Sequence, residues 1–252
     1  MIDSKSQDLP DWARELKQQF VSGTVSQFII YGDTFDVIPH ARPDGTVRFL
    51  SLKQFLEEVM LAGYDTILHY DRGKGISAVR GDKEWSKWLD SLRPSAGPAA
   101  LSPLSTRDPS KALELIDHYM IRELNLQAIK RKQGEESSLK LAVIIDMAQF
   151  IVPRGDPIQL MGDISSHIVK LLSWASDPAI MSSNILIILI TEKQSDLNSL
   201  VVDNPHTAKI EIELPGEDDI LEYLTWLKKA SFPRLEEMSD VKLTVMAKQL
   251  TG

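Results

Sequence analysis

Leu139–Phe150, LKLAVIIDMAQF, is the stretch from which the fold can be read. Its middle, Leu141-Ala142-Val143-Ile144-Ile145, carries no polar side chain and shows no alternation. A strand apolar on both faces belongs inside a parallel sheet whose two sides are covered by helices. Gly134-Glu135-Glu136-Ser137-Ser138 precedes the run and Pro153-Arg154-Gly155 follows it, both turn-forming stretches. Asp146 then falls at the carboxyl end of the strand, where open α/β sheets place their ligand crevice. A second run of the same kind, Asn184–Thr191 (NILIILIT), follows after a helix-like interval. Two buried parallel strands flanking one helix form the predicted centre of the domain.

Outward from that centre the pattern alternates. Trp12, Leu16 and Phe20 at fourfold spacing predict a helix over Asp11–Val21, entered at Pro10 and closed by Gly23. Gln27–Tyr31 reads as the first strand, followed by a loop from Gly32 to His40 and a turn at Arg42-Pro43-Asp44-Gly45, with a short β segment over Thr46–Leu50. Ser51 caps a helix with Leu52, Phe55, Leu56, Val59 and Met60 on its apolar stripe. Thr66–Tyr70 is the next strand, and Ile76–Val79 extends it or pairs with it. Helices are predicted over Glu84–Leu92, Ser110–Arg131 and Ile158–Ala175. Between the first two lies a long Pro/Ser-rich loop, residues 93–109, with prolines at 94, 98, 103 and 109. Ala208–Leu214 alternates with period two and reads as a strand with one wet face. Helices over Ile220–Lys229 and Val241–Leu250 complete the order. The expectation is a three-layer α/β fold, a mainly parallel five-stranded sheet with helices on both faces, over residues 1–214. A helical segment follows over 215–252.

Composition narrows the class. The 252 residues are 43% hydrophobic and 25% charged, ordinary for a globular protein. Lys plus Arg number 28 against 36 Asp plus Glu, a net charge of −8, so the chain as a whole does not attract nucleic acid. Zero cysteines exclude disulfides, thiolate metal sites and a cysteine nucleophile. The polar start MIDSKSQDLPDWAREL is no signal peptide, and the aliphatic run Ile185–Ile190 is far too short to span a bilayer. These features predict a cytoplasmic protein. The five histidines are scattered without metal-ligand spacing, and no G-x-S-x-G elbow is present. Trp85, Trp88 and Trp174 sit among apolar residues at helical spacing and read as core.

Four stretches together resemble the AAA+ branch of the P-loop ATPases. LAVIIDMAQF resembles a Walker B strand, ending in Asp146. ILIILITEKQSDLNSL resembles the sensor-1 strand and loop, with Thr191 at the polar position. TAKIEIELPGEDDILEYL is similar to the last core strand, a proline and the acidic start of the first lid helix, and VMAKQLTG to a later lid segment. The resemblance covers residues 139–252 by motif and the earlier part by element order. It implies an ATP–Mg site, Asp146 holding magnesium, ring neighbours of the same kind, and a lid that continues in a longer protein.

The chain departs from that family at the chemistry. A phosphate-cradling G-x-x-x-x-G-K-[ST] loop is missing; after the first strand stands Gly32-Asp33-Thr34-Phe35-Asp36-Val37-Ile38-Pro39-His40, with two carboxylates and a proline that lacks a donor. The other Gly/Lys stretch, Asp71-Arg72-Gly73-Lys74-Gly75-Ile76-Ser77, reads first as a β-turn. The catalytic Glu of the family would fall at Met147, Gln149 is no base, and Val202-Asp203-Asn204-Pro205-His206 holds no arginine. Three functions follow as expectations. The first is a non-catalytic or weakly active scaffold or regulatory N-terminal module of an AAA+ ATPase, partnered by its own downstream ATPase domain and by homo-oligomer neighbours. The second is a divergent ATPase binding ATP and Mg through Gly32, Asp33, Thr34 and Asp36 or through Gly73 and Lys74. The third is a metal-dependent phosphodiesterase on an acidic sheet edge formed by Asp33, Asp36, Asp71 and Asp146.

Overall fold

The structure, a computed structural model, describes residues 9–42, 44–92, 105–134, 139–156, 162–230, 232 and 234–250. Most of the Pro/Ser-rich loop, residues 93–104, lies outside the described residues, as do the first residues of the helix predicted from Ile158. The strands are β1 (Gln27–Gly32), β2 (Val37–Ala41), β3 (Val47–Ser51), β4 (Thr66–Asp71), β5 (Gly75–Arg80), β6 (Leu141–Ile145), β7 (Ile185–Ile190) and β8 (Thr207–Ile212). The α-helices are α1 (Asp11–Val21), α2 (Leu52–Phe55), α3 (Asp82–Leu92), α4 (Pro109–Lys132), α5 (Gly162–Ser176), α6 (Pro178–Met181), α7 (Ser199–Val202), α8 (Glu217–Lys229) and α9 (Asp240–Leu250).

Six strands form one sheet in the order β5-β4-β6-β7-β1-β8, all parallel except the antiparallel edge strand β5. The sixth strand is Gly75–Arg80, which pairs back on β4 through a turn at Arg72–Lys74. The two apolar runs occupy the middle: every residue of β6 is fully buried, and β7 is buried throughout. Alternate side chains of a strand point to opposite faces. On one face Val143, Ile145, Ile187 and Leu189 pack into a single cluster with Leu113, Ile116 and Met120 of α4 and Leu171 and Trp174 of α5. Ala142, Ile144, Leu186 and Ile188 point the other way and are equally sealed from solvent. Trp85 and Trp88 pack edge-on against Tyr119 at ring separations of 5.0 and 5.1 Å, the core role their spacing predicts.

The chain divides into two compact units. One comprises Pro10–Thr34 and Leu56–Ile212 and contains the six-stranded sheet. The other joins Phe35–Phe55 to the described residues from Glu213 onward. Within this second unit β2 and β3 form an antiparallel hairpin, where the sequence reads Val37–His40 as loop. Pro39 hides the strand from a sequence reading, yet a two-stranded ribbon has only edges, where a missing N–H is tolerated. Phe49 of β3 packs against Tyr223 and Trp226 of α8, at 4.9 and 5.2 Å between ring centroids. So the hairpin, which the sequence reading leaves inside the α/β core, groups with the C-terminal helices.

Glu123 is a buried carboxyl on α4, 5% exposed, with Arg122 beside it. Burial pushes its pKa above the ordinary carboxyl value, and the Arg122 charge opposes this only in part. A raised folded-state value favours the protonated form, so its stabilising effect is full at low pH and lost as pH rises through that value. Glu123→Gln is therefore expected to melt higher than the native chain at pH 7, and the gap to close below about pH 4. Thermal melts at both pH values check this; a gap of equal size at both would remove charge as the cause.

Candidate functional site

Strand β1 lies between β7 and β8, while the chain leaving it reaches the sheet again only at β4, beyond β7 and β6. Strand order therefore reverses at the carboxyl end of β1, which is where a doubly wound sheet opens its ligand crevice. A crevice of about 990 Å³ is found there. It is lined by Tyr31, Gly32 and Glu211 from the ends of β1 and β8, by Arg154–Asp156 after β6, by Glu192–Ser195 after β7, and by Ser199 and Asp203. Arg154 and Lys193 face four carboxylates, those of Asp156, Glu192, Asp203 and Glu211, so the walls are acid-rich. Tyr31 donates its hydroxyl to Glu211 at 3.3 Å, and burial, then the Glu211 charge, raise the phenol pKa.

The turn out of β1 is closed tightly. Gly32 N–H donates to the Glu192 carbonyl at 3.0 Å, Asp33 N–H to the Ile212 carbonyl at 2.9 Å, and Thr34 N–H to the Gly32 carbonyl at 2.9 Å. Gly32 has φ +97°, and a Cβ on it would stand 2.2 Å from the Ile212 oxygen. Only glycine fits that approach. After Thr34 the chain enters strand β2, not a helix, so no helix N-terminus is aimed at the crevice from this loop. Asp36 accepts from Val37 N–H at 2.8 Å and belongs to the second unit.

Asp146 ends β6 in the middle of the sheet, 9% exposed. Its N–H donates to the Tyr70 carbonyl at 2.9 Å, and its Oδ1 accepts from Met147 N–H at 3.0 Å. Met147 is held at φ 50°, a left-handed conformation uncommon for a long side chain. The chain then makes a 3₁₀ turn over Ala148–Phe150, and Pro153 bridges to Leu197 of the loop after β7. Asn198, fully buried, clips the two loops together. Its Nδ2 donates to the carbonyls of Gly155 (2.8 Å) and Pro153 (3.4 Å), while its Oδ1 accepts from Leu200 N–H at 3.1 Å and so caps α7. His167 fastens the same region from below: Nδ1 donates to the Ile151 carbonyl at 3.2 Å and Nε2 accepts from Ser110 Oγ at 2.8 Å. It is a buried histidine with both ring nitrogens satisfied.

The structure brings some candidate residues together and not others. Gly32 lines the crevice, Asp33 follows it directly, and Thr191, 1% exposed, ends β7 next door with its Oγ1 donating to the Lys193 carbonyl at 3.3 Å. Gly73 and Lys74 lie elsewhere, in the β4–β5 turn, where Asp71 accepts from both their N–H groups at 2.7 and 3.1 Å. Strands β6 and β7 separate β4 from β1, so that turn and the β1 loop are roughly 14 Å apart across the sheet. The same spacing corrects the acidic-edge expectation: Asp33 and Asp71 follow strands three places apart, Asp36 belongs to the other unit, and no group of three or more metal-ligating side chains occurs among the described residues. Arg154, which lines the crevice, and Asn198, which clips two of its loops together, are not singled out by the sequence; the hint for Asn198 is an Asn after Asp-Leu, where a short helix begins.

A family model described as the AAA+ chaperone N-terminal Rossmann-like domain matches residues 3–213. The chain belongs to that family. The expected AAA+ relationship is thereby shown, and so is the α/β class with a mainly parallel sheet. No curated protein matches the chain. Among solved structures, a chain in the E. coli MS115-1 HORMA:CdnC:Trip13 complex superposes with a TM-score of 0.52 at 10% identity, over 94% of this chain and 65% of that one. At that identity the likeness is one of fold, and the present chain spans about two thirds of its neighbour's length. For an AAA+ chaperone N-terminal domain, the crevice at the β1 switch point is the natural place to look for function. Its acid-rich walls and the internally satisfied turn after β1 are the features any functional reading has to accommodate.

Proposed function

We propose that this AAA+ chaperone N-terminal domain is a non-hydrolysing module, a scaffold and regulator for the ATPase domain that follows it in a longer cytoplasmic protein and for neighbouring copies in a homo-oligomer. The observation that carries the reading is the turn after β1: three successive backbone N–H groups, of Gly32, Asp33 and Thr34, are all spent on carbonyls of the protein itself. A triphosphate needs such groups open, in a nest backed by a lysine. Met147 at the position of the family's base, and the absence of arginine from Val202–His206, support the same reading, since phosphoryl transfer depends on placed charge. The fold neighbour stands in a complex with HORMA and CdnC, which supports protein partners as the business of such a fold.

Calorimetry of ATP and of ADP, each with magnesium, against the full chain is expected to give no binding heat at millimolar nucleotide. The divergent-ATPase reading draws on Arg154 and Lys193 at the crevice wall. Binding that disappears in a folded Asp146→Ala variant would establish that reading and overturn ours.

A further inference from the structure

The two edges of the main sheet each have an element lying against them, the 105–107 turn at β5 and α1 at β8, but they differ in how their outward backbone groups are met. On β5, Ile76 N–H is taken by Thr106 Oγ1 at 3.0 Å, and the 105–107 turn sits against the strand. On β8 the geometry fixes which backbone groups point outward. Asp33 N–H donates to the Ile212 carbonyl, so Ile212 faces β1, and with it Ile210 and Ala208. The N–H and C=O groups of Lys209 and Glu211 therefore point away from the sheet, and they meet no partner among the described residues. Both side chains are exposed, whereas Ile210 between them is fully buried.

We propose that the open edge of β8 pairs antiparallel with β8 of a second copy of this chain, about a two-fold axis through Ile210. In that register residue 209 of one copy stands opposite 211 of the other. These are the two residues whose backbone groups face outward, so each pair closes two hydrogen bonds and the ladder is in phase. The same register sets Lys209 against Glu211 twice, once on each side of the axis. Opposite charges directly across a ladder stabilise it, and like charges oppose it. Shifting the register by two residues brings Lys209 against Lys209, or Glu211 against Glu211 with Lys209 opposite Glu213, so the 209–211 alignment pairs opposite charges within β8 without a like-charge pair. A lysine in the middle of an edge strand otherwise serves to repel strangers; here it admits a strand that offers a glutamate at the matching place. A two-fold interface of this type is self-complementary by construction. It gives the homo-oligomer contact of the preceding reading a surface, and it rests on strand geometry alone, independent of whether nucleotide binds.

Sedimentation equilibrium on the full chain tests it. The native chain is expected to dimerise with concentration. Lys209→Glu and Glu211→Lys, each alone, place like charges across both pairs and are expected to weaken association by about tenfold or more. The combined Lys209→Glu/Glu211→Lys chain restores opposite charges and is expected to associate as the native chain does, with circular dichroism confirming the fold of all three variants. A monomer at every concentration, or a combined variant no better than the single ones, overturns the pairing. Neither result touches the calorimetric test of the nucleotide reading.

Discussion

Gly32→Ala is expected to destabilise the protein by roughly 3 kcal/mol or more, a drop in melting temperature of about 6–12 °C for a unit of this size. Two costs add. The φ of +97° is one that an L side chain adopts at about 1–2 kcal/mol. The larger cost is contact: the new Cβ would stand 2.2 Å from the Ile212 oxygen, 3.2 Å from its carbonyl carbon and 3.3 Å from its nitrogen, all backbone. That backbone is the β1–β8 ladder, in which Gly32 is the register partner of Ile212, so relief means parting the strands. Gly23→Ala separates the two costs, because Gly23 has φ +70° and nothing within 4 Å of the place a Cβ would take. Thermal unfolding of both variants is the measurement. If Gly32→Ala costs no more than Gly23→Ala, the close approach of β1 to β8 is wrong, and with it the closed turn from which the functional reading starts.

What the sequence reveals of this fold depends on how local the cause is. The runs 141–145 and 185–190 announce buried parallel strands because hydrophobic transfer acts residue by residue, and their burial is complete. The alternation of 208–212 likewise gives one wet face, with Lys209 and Glu211 exposed. Strand order is another matter. Alternating strands and helices imply crossovers of one hand, yet β1 entering between β7 and β8 is settled by packing across more than a hundred residues. The helix predicted through Leu52–Met60 also hides a change: Leu61 N–H reaches back five residues to the Leu56 carbonyl, and its last turn is a π-helix. Arg80 caps that end, its guanidinium donating to the carbonyls of Glu57, Leu61, Ala62 and Tyr64. No window of sequence around Met60 contains residue 80.

The site follows the same division. The places of Asp146 and Thr191 at strand ends are legible because each closes an apolar run, though neither lines the crevice. The loop after β1 is half legible: the lack of a G-x-x-x-x-G-K-[ST] string shows in the sequence, but the use of the Gly32 and Asp33 N–H groups does not, since their acceptors Glu192 and Ile212 lie about 160 and 180 residues away along the chain. Gly73 and Lys74 are composed like a phosphate loop and built as a hairpin turn, because β5 turns back on β4 before any helix begins.

Asn198→Asp tests the clip that gives the crevice its shape, and the expected cost is about 2–4 kcal/mol at neutral pH. The substitution changes almost no volume and keeps the acceptor that caps α7 through Leu200 N–H. What it removes is the donor. A carboxylate oxygen would then face the carbonyls of Gly155 and Pro153 where an amide now donates at 2.8 and 3.4 Å, in a position sealed from water. A carboxyl so placed gains by holding its proton, since protonated it can donate again. The deficit is therefore present above the ordinary carboxyl range and shrinks as pH falls toward about 4. Asn198→Ala, which loses cap and donor alike, is expected to show no such recovery. Urea unfolding of the three chains at pH 7.5 and pH 4 separates these cases. Hydrogen exchange locates the damage: Arg154 N–H donates to the Asp196 carbonyl at 2.8 Å and Asn198 N–H to the Val152 carbonyl at 3.0 Å, and both amides are expected to exchange faster once the clip is cut. An Asn198→Asp chain as stable as the native one at pH 7.5, with these two amides still protected, would mean that the loops after β6 and β7 hold each other without Asn198, and that Arg154 and Lys193 are positioned by something else.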